Sequence, residues 1–199
     1  KGTEVNLTIS RKGSDLFDRI LIRDKIALNS VSANFMIEEN IGYIKLNKFS
    51  RKTVEEFKSA FYDLKKLGME NLLLDLRDNP GGLLDQAIDL LDMFIASSDT
   101  LLFTKGKIRS ANTVFKATYS RFDETLPIIA IINRGSASAS EIISGTLQDL
   151  DRGLVVGETS FGKGSVQQHY DLDNETAVRV TVAKYHTPSG RSIQRDYNK

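Results

Sequence analysis

The sequence predicts an α/β fold with a mainly parallel sheet. Over residues 71–158, short apolar runs of strand length, "NLLLDLR", "PIIAIIN" and "GLVVGE", alternate with segments of helical period, "LLDQAIDLLDMFI" and "SASEIISGTLQDL". An apolar run without polar alternation suits a strand covered on both faces. Strand–helix–strand order places such strands side by side and parallel, joined by crossover helices.

Each element has its own local reason. Residues 1–11 alternate Val5, Leu7 and Ile9 with polar residues, as a half-buried strand does, and "RKGSD" follows as a turn. Residues 19–32, "RILIRDKIALNSVS", are a second extended region, and "NFMIEENIGYIKLNKFS" folds its two apolar runs around "EEN" as a hairpin. Val54, Phe57, Phe61 and Leu64 recur at helical spacing; Thr53 with Glu56 predicts a capping box, and Gly68 a C-terminal cap. The glycine-bracketed "SFGKGS" is a turn, and "VQQHYDL" and "TAVRVTVAKYHT" are the last strands, before the turn "PSG". The polar, glycine-containing turn near residues 11–18 is the one place where a domain boundary suggests itself.

Composition narrows the function. The 199 residues carry a formal net charge of +1, with 40% hydrophobic residues, enough for one sizeable core. Charges are balanced and form no long like-charged block, which argues against a nucleic-acid footprint or a polybasic membrane patch. No apolar run approaches a membrane span. The chain opens without methionine and directly in strand pattern, so it reads as a piece of something longer. Cysteine is absent, which excludes disulfides, a thiolate nucleophile and cysteine-ligated metal, and suits an oxidising compartment. Two histidines, His169 and His186, make a histidine-rich metal site improbable, and neither a metal nor a cofactor is expected.

Sites in open α/β sheets gather at the carboxyl ends of strands, and three such ends are unusual here. In "LRDNPGGLL" the pair Gly81–Gly82 lets the backbone turn sharply and bring bare N–H groups to a ligand; the same residues also make an ordinary tight turn. In "NRGSASASEI", Ser138 falls at a helix start, and Ser138-x-x-Glu141 is a capping box in its own right. A hydroxyl there also lies beside free N–H groups and the positive end of the helix dipole, which favour a developing oxyanion. Ser136 is too early for that role, and Ser140 and Ser144 fall inside the helix. In "TSFGKGSVQQ", Lys163 stands between Gly162 and Gly164; the phosphate-loop pattern is not met, and a plain surface lysine is the alternative.

A serine nucleophile needs a base. Neither histidine sits in a glycine-shaped turn, whereas a desolvated lysine can serve. Lys163 would then need low polarity around it, an acceptor for its amine and no close carboxylate; Phe161, Val166 and Gln167 are suitable neighbours.

Taken together and in this order, "LRDNPGGLL", "GSASASEI" and "FGKGSVQ", with "GLVVGE" and "YHTPSGRSIQ", resemble the carboxyl-terminal processing, or tail-specific, serine peptidases. The resemblance implies Ser138 as nucleophile, Lys163 as general base and Gln167 as the residue that orients the lysine. It implies an oxyanion hole from the N–H of Gly81 or Gly82 and that of Ala139. It implies a crotonase/ClpP-like spiral of β-β-α units with flanking strands. "GTEVNLTISR" looks like the last strand of a PDZ domain, which makes residues 1–11 its remnant and 12–199 the peptidase core. The expected activity is endoproteolysis of proteins or peptides with apolar C-termini, in a periplasmic or otherwise extracytoplasmic setting, membrane-anchored through a segment absent here and open to homo-oligomerisation. A non-catalytic peptide-binding or apolar-ligand module on the same fold is the alternative. Crotonase-type acyl-CoA chemistry would leave Lys163 without a role.

Overall fold

The computed structural model describes residues 1–24, 29–96, 98–118 and 125–196. Strands β1 (Glu4–Ile9) and β2 (Phe17–Ile22) pair antiparallel from Glu4 opposite Ile22 to Ile9 opposite Phe17. The turn proposed as a boundary therefore lies inside a hairpin. The rest of the extended region expected over 19–32 is only partly visible, because residues 25–28 lie outside the described ones.

A second hairpin, β3 (Val31–Glu38) and β4 (Ile41–Leu46), forms around "EEN" as expected and opens the central sheet. Helix α1 (Thr53–Lys66) follows, giving one β-β-α unit. Its start differs from the expected capping box. The N-cap residue is Lys52, and Thr53 Oγ1 accepts the Ser50 N–H at 2.7 Å and donates to Ser30 Oγ. Glu56 accepts the N–H groups of Ser30 and Val31 at 2.6 and 3.0 Å. The start of β3 lies beside the helix and offers the carboxylate two donors at once, so tertiary pairing displaces the local one. Gly68 does end the helix, at φ 95°.

Strand β5 (Asn71–Asp75) leads into α2 (Leu84–Asp92), shorter than the apolar period suggested. Between α2 and the next core strand come β6 (Thr100–Gly106), a single 3-10 turn at Arg109–Ala111 and β7 (Val114–Lys116). Then follow β8 (Ile128–Ile132), α3 (Ala139–Asp149), β9 (Leu154–Gly157), β10 (Ser165–Asp171) and β11 (Ala177–His186).

The central sheet has the order β3-β4-β5-β8-β9, parallel from β4 onward, as the strand–helix alternation requires. Its alternate residues Ile44, Leu46, Leu72, Leu74, Ile128 and Ala130 are buried in the core shared with Phe57, Phe61, Leu90, Ile142 and Leu147 of the helices. Phe57 makes an edge contact with Phe94 at 5.9 Å between centroids. A four-stranded sheet, β10-β11-β6-β7, stands beside it. The carboxyl ends of β5 and β8 are adjacent, so the turns that leave them meet.

Candidate active site

The turn after β5 and the turn after β8 are laced together by two serine side chains with no exposed surface, Ser136 and Ser140. Asn79 donates through Nδ2 to the Leu46 carbonyl at 2.9 Å, and its own carbonyl accepts the Ala137 N–H and the Ser140 hydroxyl, each at 3.0 Å. Ser136 Oγ donates to the Leu76 carbonyl at 2.7 Å. At the surface Asp78 and Asn133 exchange two hydrogen bonds of 2.9 Å. Buried polar groups this fully paired hold a loop in one arrangement.

Only glycine fits at the inner end of the first turn. A Cβ on Gly81, at φ 91°, would stand 2.6 Å from the Ala137 carbonyl oxygen and 2.8 Å from Ala139 N. A Cβ on Gly82 would stand 2.0 Å from the carbonyl oxygen of Phe49, its bridge partner. Of the two residues only Gly82 has a free N–H, because Gly81 gives its own to Asn79 Oδ1 at 2.9 Å. Among the described residues no hydrogen bond engages the N–H of Gly82 or of Ala139. The sequence left both glycines open as oxyanion donors, and this bond separates them.

Ser138 caps α3 and is held at φ 54°, ψ −112°. A serine at positive φ is strained, and such strain persists where the surroundings over-determine it. It also resembles the sharp strand-to-helix turn that presents a nucleophilic serine in α/β-hydrolases. Ser136 and Ser140 are fully buried and bonded to the neighbouring turn, whereas Ser138 is partly exposed. The three serines of the repeat thus divide into two that brace and one that faces outward.

The turn that carries Lys163 is fastened to the same helix. Glu141, 4% exposed, accepts the Ser138 N–H at 2.8 Å, the Lys163 N–H at 2.8 Å, the Gly162 N–H at 2.6 Å and the Ser160 hydroxyl at 2.7 Å. The Phe161 N–H adds a bond to the Ser136 carbonyl at 3.0 Å. The structure therefore brings the backbones of Ser138, Ala139, Gly81, Gly82 and Lys163 to one place. It does not join the reacting groups: no hydrogen bond links Lys163 Nζ to Ser138 Oγ, or Gln167 to either.

Two features expected of the lysine are corrected. Lys163 and Phe161 are exposed rather than shielded, because the turn between the two glycines projects outward. A carboxylate is close, on the backbone side, with its charge distributed over four donors. Gln167 lies exposed on β10, where one residue of β11 bulges between the pairs Val166–Ala183 and Gln167–Thr181. His169 bonds Arg179 and His186 stacks on Phe103 at 5.2 Å, so neither belongs to the site. A cavity of about 210 Å³ opens between Leu84 of α2, Val166 of β10, Tyr185 and Phe115, with Thr104, Thr113 and Gln168 also in its wall. Among the described residues no group of three or more His, Cys, Asp or Glu side chains is placed to hold a metal ion.

Against known proteins, residues 40–197 match the family described as peptidase family S41. The chain belongs to peptidase family S41. It is 43% identical over 198 residues to a carboxy-terminal-processing protease of Bartonella bacilliformis, covering 97% of this chain and 45% of that protein. It is 36% identical to the chloroplastic C-terminal processing peptidase of Tetradesmus obliquus, covering 79% of this chain and 34% of the relative. Among solved structures, the photosystem II D1 C-terminal processing protease superposes with a TM-score of 0.75 at 30% identity, over 96% of this chain and 53% of that one. This S41 chain thus spans between about a third and a half of the length of these proteins, and shares the α/β architecture of the solved one.

Sequence reading missed two positions of this candidate site. Glu141 was visible only as the partner in a capping box, and Asn79 only as turn material; the Ser138-x-x-Glu141 spacing was the available signal for the first.

Proposed function

We propose that this chain is the catalytic core of a serine endopeptidase that cleaves proteins or peptides near their C-terminus with a Ser138–Lys163 dyad. The observation that carries the reading is the strained Ser138 at the start of α3, flanked by the unengaged N–H groups of Ala139 and Gly82. Ser138 Oγ attacks the scissile carbonyl carbon while Lys163 Nζ takes its proton. The carbonyl oxygen becomes an oxyanion held by the N–H groups of Ala139 and Gly82, aided by the helix dipole. We assign the glycine donor to Gly82 because the Gly81 N–H is already given to Asn79. The intermediate collapses, the C–N bond breaks and the lysine returns its proton to the departing amine. Water, activated by the neutral lysine, then releases the acyl group.

The exposed amine needs a cover. A substrate lying over the turn would exclude water from Lys163, with Gln167 as the orienting acceptor. The cavity beside Leu84 and Val166 suits an apolar substrate side chain. Relatives from bacteria and a chloroplast fit an extracytoplasmic or lumenal setting. The pairing of β1 with β2 supports a boundary after residue 22 for any preceding PDZ domain.

In the full-length protein, Ser138→Ala and Lys163→Ala are each expected to abolish cleavage of an apolar-tailed substrate with the fold unchanged by circular dichroism. Wild-type cleavage by either variant overturns the dyad.

A further inference from the structure

Glu141 is more than the reciprocal half of a helix cap. Its Oε2 is shared by the N–H of Ser138 and the N–H of Lys163, both at 2.8 Å. Its Oε1 takes the Gly162 N–H at 2.6 Å and the Ser160 hydroxyl at 2.7 Å. A capping box would need only the first of these bonds. The other three go to residues 160–163, which lie between β9 and β10 outside any helix or strand. Residues 160–163 have few other ties to the core: the Phe161 N–H on Ser136, and the Gly162 carbonyl, which accepts the Arg195 N–H.

The chemistry of the group fits this task. A carboxylate is the one side chain that accepts at two oxygens with about four lone-pair sites and donates nothing. Bonds to an ionised acceptor are shorter and stronger than neutral ones, and buried charge is tolerated when donors surround it. Three donors here come from the segment bearing the candidate base, and one from the candidate nucleophile itself.

We infer that Glu141 is a positioning residue that sets the distance between Ser138 and Lys163 by holding both backbones on one carboxylate. The inference rests on the dyad reading above. Misplacing a reacting group by about 1 Å can lower a rate about a hundredfold, so the loss should appear in kcat. KM should move little, because Glu141 is buried and offers no contact to substrate.

Glutamine at 141 keeps the volume but not the acceptors. With its oxygen in the Oε2 place and its NH2 turned to the Ser160 hydroxyl, it still meets the Gly162 N–H with a second donor. Alanine removes all four bonds. The test uses the full-length protein with a fluorogenic apolar-tailed peptide, and compares wild type, Ser138→Ala, Glu141→Gln and Glu141→Ala. It adds amide hydrogen exchange of residues 160–164 against the β5 and β8 strands.

The expected order of kcat is wild type, then Gln about tenfold lower, then Ala about a hundredfold lower. KM should stay within about threefold, and exchange should quicken at 160–164 while β5 and β8 remain protected. If the alanine variant does not fold, the volume-matched glutamine variant decides. An inactive Ser138→Ala together with a Glu141→Gln kcat within about twofold of wild type, or unchanged protection at 160–164, overturns the positioning role. An active Ser138→Ala instead overturns the dyad reading on which it rests.

Discussion

Asn79 Oδ1 accepts the Gly81 N–H at 2.9 Å, and this one bond decides which glycine of the pair keeps an unengaged N–H. It also fixes the turn, since the same amide donates to the Leu46 carbonyl at 2.9 Å. Asn79→Ala would leave a buried carbonyl and a buried N–H unpaired, at about 1–3 kcal/mol each. The expected outcome is a drop in unfolding free energy of about 2–6 kcal/mol in urea, together with a lower kcat at temperatures where the variant is folded. A variant with wild-type stability would show that the turn holds itself.

The serine repeat gives a contrast within five residues. Ser138→Gly removes the hydroxyl but accepts φ 54° without a Cβ penalty, so it should lose activity yet gain about 1 kcal/mol or more of stability. Ser136→Ala and Ser140→Ala should each lose about 1 kcal/mol from a broken buried hydrogen bond and keep measurable cleavage. Thermal melts paired with peptide hydrolysis separate the three. A destabilised Ser138→Gly would mean that its backbone is not strained.

Acid should unlock the outer edge of the turn through Asp75. Burial pushes its carboxyl up, but hydrogen bonds from Arg77 and Tyr43 outweigh that and hold it at about 2 against an ordinary 3.8. Because the folded-state value lies below the unfolded one, the contribution is complete above about pH 4 and fades as pH falls towards 2. It amounts to about 2 kcal/mol. Denaturation midpoints measured from pH 6 down to 2 should fall in wild type, and Asp75→Asn should flatten the part of that fall due to this group. An Asp75→Asn profile parallel to wild type would exclude it.

Glu56 should behave as a tertiary anchor rather than a helix cap. Glu56→Ala leaves the N–H groups of Ser30 and Val31 without their acceptor and is expected to cost about 2 kcal/mol or more. Neighbouring Glu55, on the same first turn and exposed, should cost under about 0.5 kcal/mol when changed to alanine. Equal losses in chemical denaturation would return Glu56 to an ordinary helix-end role.

Much of the fold was legible because its elements are coded locally. The runs at 71–75, 128–132 and 154–157 became parallel strands, and the periods after "GG" and "SAS" became α2 and α3. The strands β6 and β7 break the strand–helix alternation, being inserted between α2 and β8, so that periodicity does not mark them although "TLLFTKG" has strand composition. Where Thr53 and Glu56 were expected to cap each other, donors from Ser30, Val31 and Ser50 reached them first.

By itself the sequence determined the α/β layers, the two glycine-rich turns and the place of Ser138 at a helix start. Those follow from side-chain periodicity and from φ preferences, which act over a few residues. Tertiary structure alone decided that Gly82 rather than Gly81 has a free N–H, that Lys163 stands exposed, and that Glu141 ties the lysine's turn to the serine's helix. These depend on which donors and acceptors meet when turns distant along the chain pack together, and no local pattern records that pairing.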